Sequence, residues 1–269
     1  MVQIGEPIQN GAELGAVVIG DRSVKSSLNL IQKGKVHAPW RTMIYGTHGI
    51  GKSTFGAQAE RPIFLPTEDG QSKIDCHKFP LAESFDQFES YLICLATENH
   101  DYKTAVVDSA DWLEKLIWKE VCRVKNVQSI EDIGFGKGYK FALDWWDRVF
   151  KALNYLRSEK GMGCVVIAHT DVTKFEDPST DNYDRYAPKL HKTVSALLQE
   201  WCDDVLFATY KVMTRTVDEG FGKKGVKPIG SGERVLKTTE MPSHYAKNRL
   251  GLPPEMPFDY QGYAEYFNK

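Results

Sequence analysis

The sequence predicts an α/β protein: a mostly parallel sheet flanked by helices, with antiparallel strands added at one edge. Three observations predict it. Short apolar runs alternate with stretches of helical periodicity through most of the 269 residues, the pattern of strands joined by crossover helices. A glycine-rich turn ending in Gly-Lys-Ser links the first clear strand to a short helix. Late in the chain, two runs rich in β-branched and apolar residues flank a glycine and lysine stretch, as expected of an antiparallel pair at a sheet edge.

Taken in order, LGAVVIG (14–20) reads as a strand and SVKSSLNLIQKG (23–34) as a short helix. RTMIYG (41–46) is an apolar strand ending on glycine, and KSTFGAQA a helix of about two turns. RPIFLPTEDG (61–70) is a second buried strand closing in a polar turn. SFDQFESYLICLAT (84–97) places Phe85, Phe88, Tyr91, Leu92 and Leu95 at helical spacing. TAVVDSA (104–110) is a third strand. ADWLEKLIWKEVCRV (110–124) is an amphipathic helix with Trp112, Leu113, Leu116, Ile117 and Val121 inward. KNVQSIEDIGFGKGYK (125–140) has three glycines and no period, so a loop is expected. The strongest helix follows at 141–158, with Phe141, Trp145, Val149, Leu153 and Leu156 on one stripe. MGCVVIAHT (162–170) is a fourth strand, 171–189 a long polar loop, and LHKTVSALLQEWC a helix. DVLFATYKVMTRTV and ERVLKTTEM then pair around the loop DEGFGKKGVKPIGSGE. Residues 39–269 read as one core, preceded by an N-terminal segment, 1–38, that could dock a neighbouring subunit.

Composition narrows the function classes. Hydrophobic residues at 42% and charged residues at 26% suit a buried core, and a net charge of −2 argues against a wholly basic surface. The opening MVQIGEPIQNGAELG has neither a basic head nor an apolar stretch, so no cleavable leader is expected. No apolar run approaches the ~18 residues of a membrane helix, which predicts a cytoplasmic protein without a membrane partner. Five scattered cysteines lacking a C-x-x-C pair point to reduced thiols rather than to zinc or a redox pair.

The turn carries the chemistry. GTHGIGKS supplies Gly46, Thr47, His48, Gly49, Ile50, Gly51, Lys52 and Ser53, followed by Thr54, and satisfies G-x-x-x-x-G-K-[ST]. Glycines let the backbone N–H groups turn inward on phosphates, and the following helix adds its positive end. Lys52 is the point charge for the β- and γ-phosphates, and Ser53 offers a hydroxyl to Mg²⁺. The expected ligand is a nucleoside triphosphate with Mg²⁺. Asp108, just past an apolar strand, is the second candidate for the metal, or a cap on the next helix. Glu68, at the end of the strand after the P-loop helix, is the candidate general base. His169 ends the fourth strand on the same edge, where it can touch the γ-phosphate. Each of the two also reads as an ordinary residue, a solvated turn carboxylate or a hydrogen-bonded core histidine.

Three further features give a resemblance. Glu68 lies on the strand directly after the P-loop helix, VVDSADWL looks like a RecA-type VDS segment, and AKNRLGLPPEMPFDY (246–260) is similar to the KNRFG element of the RadA branch, with Leu250 in place of phenylalanine. From about residue 38 to 260 the chain resembles phage-encoded RecA-like ATP-binding proteins, with GKST, PTEDG, VVDS, GFGKGY, IAH and KNR in the expected order. The resemblance implies a RecA-like P-loop core that binds ATP and Mg²⁺ and acts on single-stranded DNA in recombination or annealing. It assigns the glycine-rich 125–140 segment and the polar 171–189 segment to DNA, with Lys137, Lys140, Lys174, Arg185 and Lys189 as phosphate contacts and Phe135, Tyr139 and Tyr183 as stacking residues. Against this, the second segment holds Asp171, Glu176, Asp177, Asp181 and Asp184. Between 211 and 249 stand nine lysines or arginines against four acids, a second possible grip on nucleic acid. The resemblance further implies that Lys247 and Arg249 enter a neighbour's ATP site, hence a head-to-tail ring or filament. Two other readings stay open: a small-molecule kinase with the same P-loop, and a weakly hydrolysing scaffold that recruits a partner such as a single-strand binding protein.

Overall fold

The computed structural model describes residues 31, 33, 34, 38–176, 181–218 and 224–267, with side chains apart from those of 213–218, 224–229 and 231. The fold is that of the unit Ala38–Lys269, which divides from Met1–His37. The strand expected at 14–20 and most of the helix expected at 23–34 lie outside the described residues.

The described elements run β1 (Arg41–Gly46), α1 (Lys52–Ala57), β2 (Pro62–Pro66), β3 (His77–Lys78), α2 (Phe85–Thr97), β4 (Thr104–Asp108), α3 (Ala110–Lys125), a 3-10 turn at Ile130–Ile133, α4 (Lys137–Glu159), β5 (Gly163–Phe175), β6 (Tyr183–Pro188), α5 (Lys192–Trp201), β7 (Asp204–Asp218), β8 (Lys224–Lys237), β9 (Glu255–Pro257) and α6 (Tyr260–Ala264). The sheet order is β3-β2-β4-β5-β1-β7-β8-β9. From β3 through β7 every pairing is parallel. β8 and β9 add on antiparallel at the far edge. The fold is therefore α/β with a mostly parallel sheet and antiparallel edge strands.

Period-two alternation divides the strand residues between two cores. Met43, Tyr45, Leu65 and Val107 pack with Phe85, Leu113, Trp146 and Val194 from α2, α3, α4 and α5. Ile44, Phe64, Val106 and Ile167 pack with Phe55, Tyr260 and Tyr263 from α1 and α6. Because helices cover both faces, the central strands are buried along nearly their whole length. α1 sits especially close to the sheet: a Cβ on Gly56 would lie 2.9 Å from Val106 Cγ1.

Four local expectations are corrected. The segment 171–189 is a hairpin, not a loop, since β5 continues past the sheet and pairs antiparallel with β6 from Thr170↔Pro188 to Phe175↔Tyr183. Polar side chains hid it, because the hairpin's β5 arm is mostly exposed. The segment 125–140 is partly helical, with a 3-10 turn capped by Ser129 and α4 starting at Lys137. The buried stripe of α4 centres on Trp146, while Phe141 and Trp145 are only partly buried. β8 begins at Lys224, so the expected glycine and lysine loop is largely strand, and its tip lies outside the described residues.

Candidate nucleotide site

Parallel pairing brings the strand ends to one edge. Gly46 lies opposite both His169 and Ala208, and Pro66 opposite Asp108. Gly46 must be glycine there, because a Cβ would stand 2.2 Å from the Ala208 carbonyl oxygen. The loop beyond it turns on Gly49 (φ 71°) and Gly51 (φ 106°), a left-handed backbone open to glycine. Lys52 opens α1, is buried, and donates through Nζ to the carbonyls of Gly46 at 2.9 Å and Thr47 at 3.0 Å. Its ammonium thus lies inside the curl of the loop. Burial lowers its pKa, and the Asp108, Glu68 and Asp111 carboxylates oppose that shift. Ser53 is half-buried, while Thr47, His48, Gly49 and Thr54 are exposed and Ile50 is buried. On the other flank Arg234 of β8 donates to the Ile50 carbonyl at 3.0 Å, with its guanidinium over the Phe258 ring.

Asp108 ends β4 fully buried. Gln71 donates to its Oδ2 at 2.7 Å, while Oδ1 has no hydrogen-bond partner among the described residues. An orphaned carboxylate oxygen at a strand end, with the Ser53 hydroxyl at the start of α1, is a donor set suited to Mg²⁺ completed by phosphate and water oxygens. The neighbouring strand end is locked beneath it: Thr67 Oγ1 donates to the Ser109 carbonyl at 2.7 Å and accepts from its N–H at 2.9 Å. The next residue, Glu68, is half-buried at the same edge. Burial raises its pKa, partly offset by His169.

His169 lies between several of these groups. Its Nε2 is 3.7 Å from Glu68 Oε1, and its ring centroid is 4.3 Å from that of His48. Its Nδ1 is 3.0 Å from Asp111 Oδ2, and its backbone N–H donates to Asp111 Oδ1 at 3.0 Å. Burial works to raise the Asp111 carboxyl, but the hydrogen bonds from His169 hold it below the ordinary carboxylate range. One helical turn on, Glu114 accepts the His191 N–H at 2.9 Å, and burial pushes its carboxyl up to about 7. Asp111, Glu114, Trp118, Lys189 and His191 line a cleft of about 310 Å³.

Sequence reasoning missed Asp111, Glu114, Gln71 and Arg234. A signal existed for the first two. Asp108, Asp111 and Glu114 recur every three residues across a strand end and a helix start, which puts both helical acids on the face turned to that strand end. Nothing in the spacing marks Gln71 or Arg234.

Glu68, Lys52, Asp108 and His169 are therefore brought together, with Ser53 next to Lys52 on α1, and other residues singled out from the sequence stand apart. Lys247 Nζ donates to the carbonyls of Gln199, Glu200 and Cys202 at the end of α5. Arg249 pairs with Asp203 at 3.1 Å, and its N–H donates to Asp204 at the start of β7, the opposite edge from the P-loop. Phe135 is 99% exposed, between Gly134 and Gly136 in left-handed backbone, with exposed Lys137 and Lys140 just beyond on α4. Tyr139 turns inward, its ring stacked on His191 at 4.4 Å. Lys174 and Lys189 are exposed, and Tyr183 faces Phe175. Arg185 is buried: it donates to Glu240, Met241 and His244 and lies 3.6 Å over the Tyr245 ring, so its guanidinium is occupied inside the fold.

Residues 38–250 match the AAA domain family. The chain belongs to that family. Its P-loop is the nucleotide-binding element of an AAA-type ATPase domain, and no described helix is long and apolar enough to cross a membrane. The SPbeta prophage-derived uncharacterized protein YorG of Bacillus subtilis (strain 168) is 27% identical over 214 residues, 77% of this chain. The chain spans 58% of that relative's length. Among solved structures it is similar to the RadB recombinase, with a TM-score of 0.46 and 14% identity over 88% of this chain and 95% of that one.

Proposed function

We propose that this AAA domain is an Mg²⁺-dependent ATPase that acts on single-stranded DNA in phage recombination or annealing. The observation that carries the ATPase reading is the meeting of Lys52 from α1, Asp108 from β4, His169 from β5 and Glu68 from the turn after β2 at one sheet edge. The loop amides and Lys52 hold the phosphates. Ser53 and Asp108 Oδ1 hold Mg²⁺, which when bound neutralises charge on the phosphates. Glu68, whose proton affinity is raised by burial, orients and deprotonates the attacking water. His169 senses the γ-phosphate through the water it shares with Glu68.

The DNA reading is supported by Phe135. A wholly exposed phenylalanine between two left-handed glycines costs solvation and backbone freedom for no packing gain, and it suits stacking on an unpaired base. Lys137, Lys140, Lys174 and Lys189 supply phosphate contacts. The phage setting rests on the resemblance of the motifs and on the prophage-derived relative.

The test is ATP hydrolysis with Mg²⁺, with and without single-stranded DNA. DNA is expected to stimulate turnover, Glu68→Gln to reduce it about 100-fold or more, and Phe135→Ala to remove the stimulation while leaving the basal rate. Equal rates with and without DNA would remove the DNA reading, and a fully active Glu68→Gln variant would remove Glu68 as the base.

A further inference from the structure

We infer that Asp111 is a positioning residue for the nucleotide site: it fixes the ring orientation and tautomer of His169, so that Nε2 and not Nδ1 faces Glu68 and the phosphate edge. The inference rests on the ATPase reading above for its purpose, and on the geometry alone for its structural half.

Asp111 faces two nitrogens of one residue, the backbone N–H and the ring Nδ1 of His169, and Nδ1 is within reach of both carboxylate oxygens. Its Oδ1 accepts the His169 backbone N–H at 3.0 Å, which pins the point where β5 leaves the sheet. Its Oδ2 lies 3.0 Å from Nδ1 of the same histidine. An ionised carboxylate only accepts, so the proton between them belongs to Nδ1. In the neutral ring this leaves Nε2 as a lone pair, aimed at Glu68 Oε1 across 3.7 Å. That gap is too long for a direct hydrogen bond, but it suits two acceptors that share one water, which donates to each. His48 closes the other side of the ring at 4.3 Å. Both Asp111 and His169 are buried, so solvent does not compete for Nδ1. Asp111 is held in turn by the first turn of α3, where the Leu113 N–H bonds the Ser109 carbonyl at 3.0 Å. The same chain logic operates in a Ser-His-Asp triad, where a buried aspartate sets the imidazole tautomer and stays ionised.

Asp111→Asn is the informative substitution, because it preserves shape and can present an N–H to Nδ1, moving the ring proton to Nε2. The experiment has two readouts on the full chain. The first is the ¹⁵N NMR signature of His169, read in the neutral form of the ring. Wild type is expected to be protonated on Nδ1 and Asp111→Asn on Nε2. The second is steady-state ATP hydrolysis. Asp111→Asn is expected to lower kcat about 10- to 100-fold, as loss of an orienting partner does elsewhere, with KM within about 2-fold. Added to His169→Ala it should cost nothing further, since its effect runs through the ring.

A wild-type His169 protonated on Nε2 would overturn the inference, whatever the enzyme does. So would an unchanged kcat in Asp111→Asn, or an equal kcat loss with and without His169. If wild type turned over no ATP, the ATPase reading would fail, and the tautomer measurement would still decide whether Asp111 sets the ring.

Discussion

Asp111 and Glu114 show how a residue can be misread when periodicity is the only guide. Trp112 has the hydropathy of a core residue, and the helical stripe through Leu113, Leu116, Ile117 and Val121 invites it inward. In the structure Trp112 is 42% exposed with Lys115 across its ring, while Asp111 and Glu114 are buried. The reversal follows from the partners. Helix α3 starts at the nucleotide edge, and its first turns face the His169 and His191 backbone, whose N–H groups the acids accept. A buried carboxyl with an acceptor role and little else is costly to ionise. Glu114 has an ordinary value of 4.5 in the unfolded chain and about 7 in the fold. Its favourable contribution is therefore complete below pH 4.5 and is lost as pH rises through 7. The stake is about 3 kcal/mol at full ionisation, taking each unit as 1.36 kcal/mol. Glu114→Gln keeps an acceptor for the His191 N–H and cannot ionise. It is expected to leave stability near wild type at about pH 5 and to raise it by up to about 3 kcal/mol at about pH 8. Urea midpoints at the two pH values would check this, and a variant less stable than wild type at the higher pH would refute it.

Elements show where sequence legibility ended. The strands β1, β2, β4 and β5 were readable because burial on both faces makes them continuous apolar runs, and the P-loop because its glycines are forced by backbone geometry at Gly46, Gly49 and Gly51. The β5–β6 hairpin was not, because its β5 arm is mostly exposed and the contacts of its Arg185 are with residues distant in sequence, Glu240 and His244, which no local pattern signals. Nor was the place of Lys247. It reads as a surface cation, yet it caps α5 by donating to three terminal carbonyls, groups that a helix leaves unsatisfied. Lys247→Met is expected to destabilise the fold by about 1–3 kcal/mol, the range for hydrogen bonds to a charged donor. A denaturation midpoint equal to wild type would show that the cap contributes nothing.

At the scale of the whole molecule, parallel strands separate two chemistries. The phosphate loop leaves the C-terminal end of β1 after Gly46, while Arg249 is tied to Asp204, which pairs with Thr42 at the other end. Four residues of extended chain put about 13 Å between these levels, more than an arginine side chain spans along the sheet. Arg249 therefore faces away from its own nucleotide. It is exposed and held by Asp203, which also binds Arg41 and Arg157. We propose that Arg249 serves an ATP site in another copy, stacked with its N-terminal sheet edge on the P-loop edge of the first in a head-to-tail ring or filament. That proposal predicts complementation. Lys52→Ala lacks phosphate binding but presents Arg249, and Arg249→Ala binds ATP but presents no cation. Each alone is expected to be nearly inactive. Mixed in equal amounts, they should regain a fraction of wild-type hydrolysis, because sites form with the loop of one variant and the arginine of the other. An Arg249→Ala protein as active as wild type, or a mixture no better than its components, would leave Arg249 with only its own subunit's Asp203 to serve.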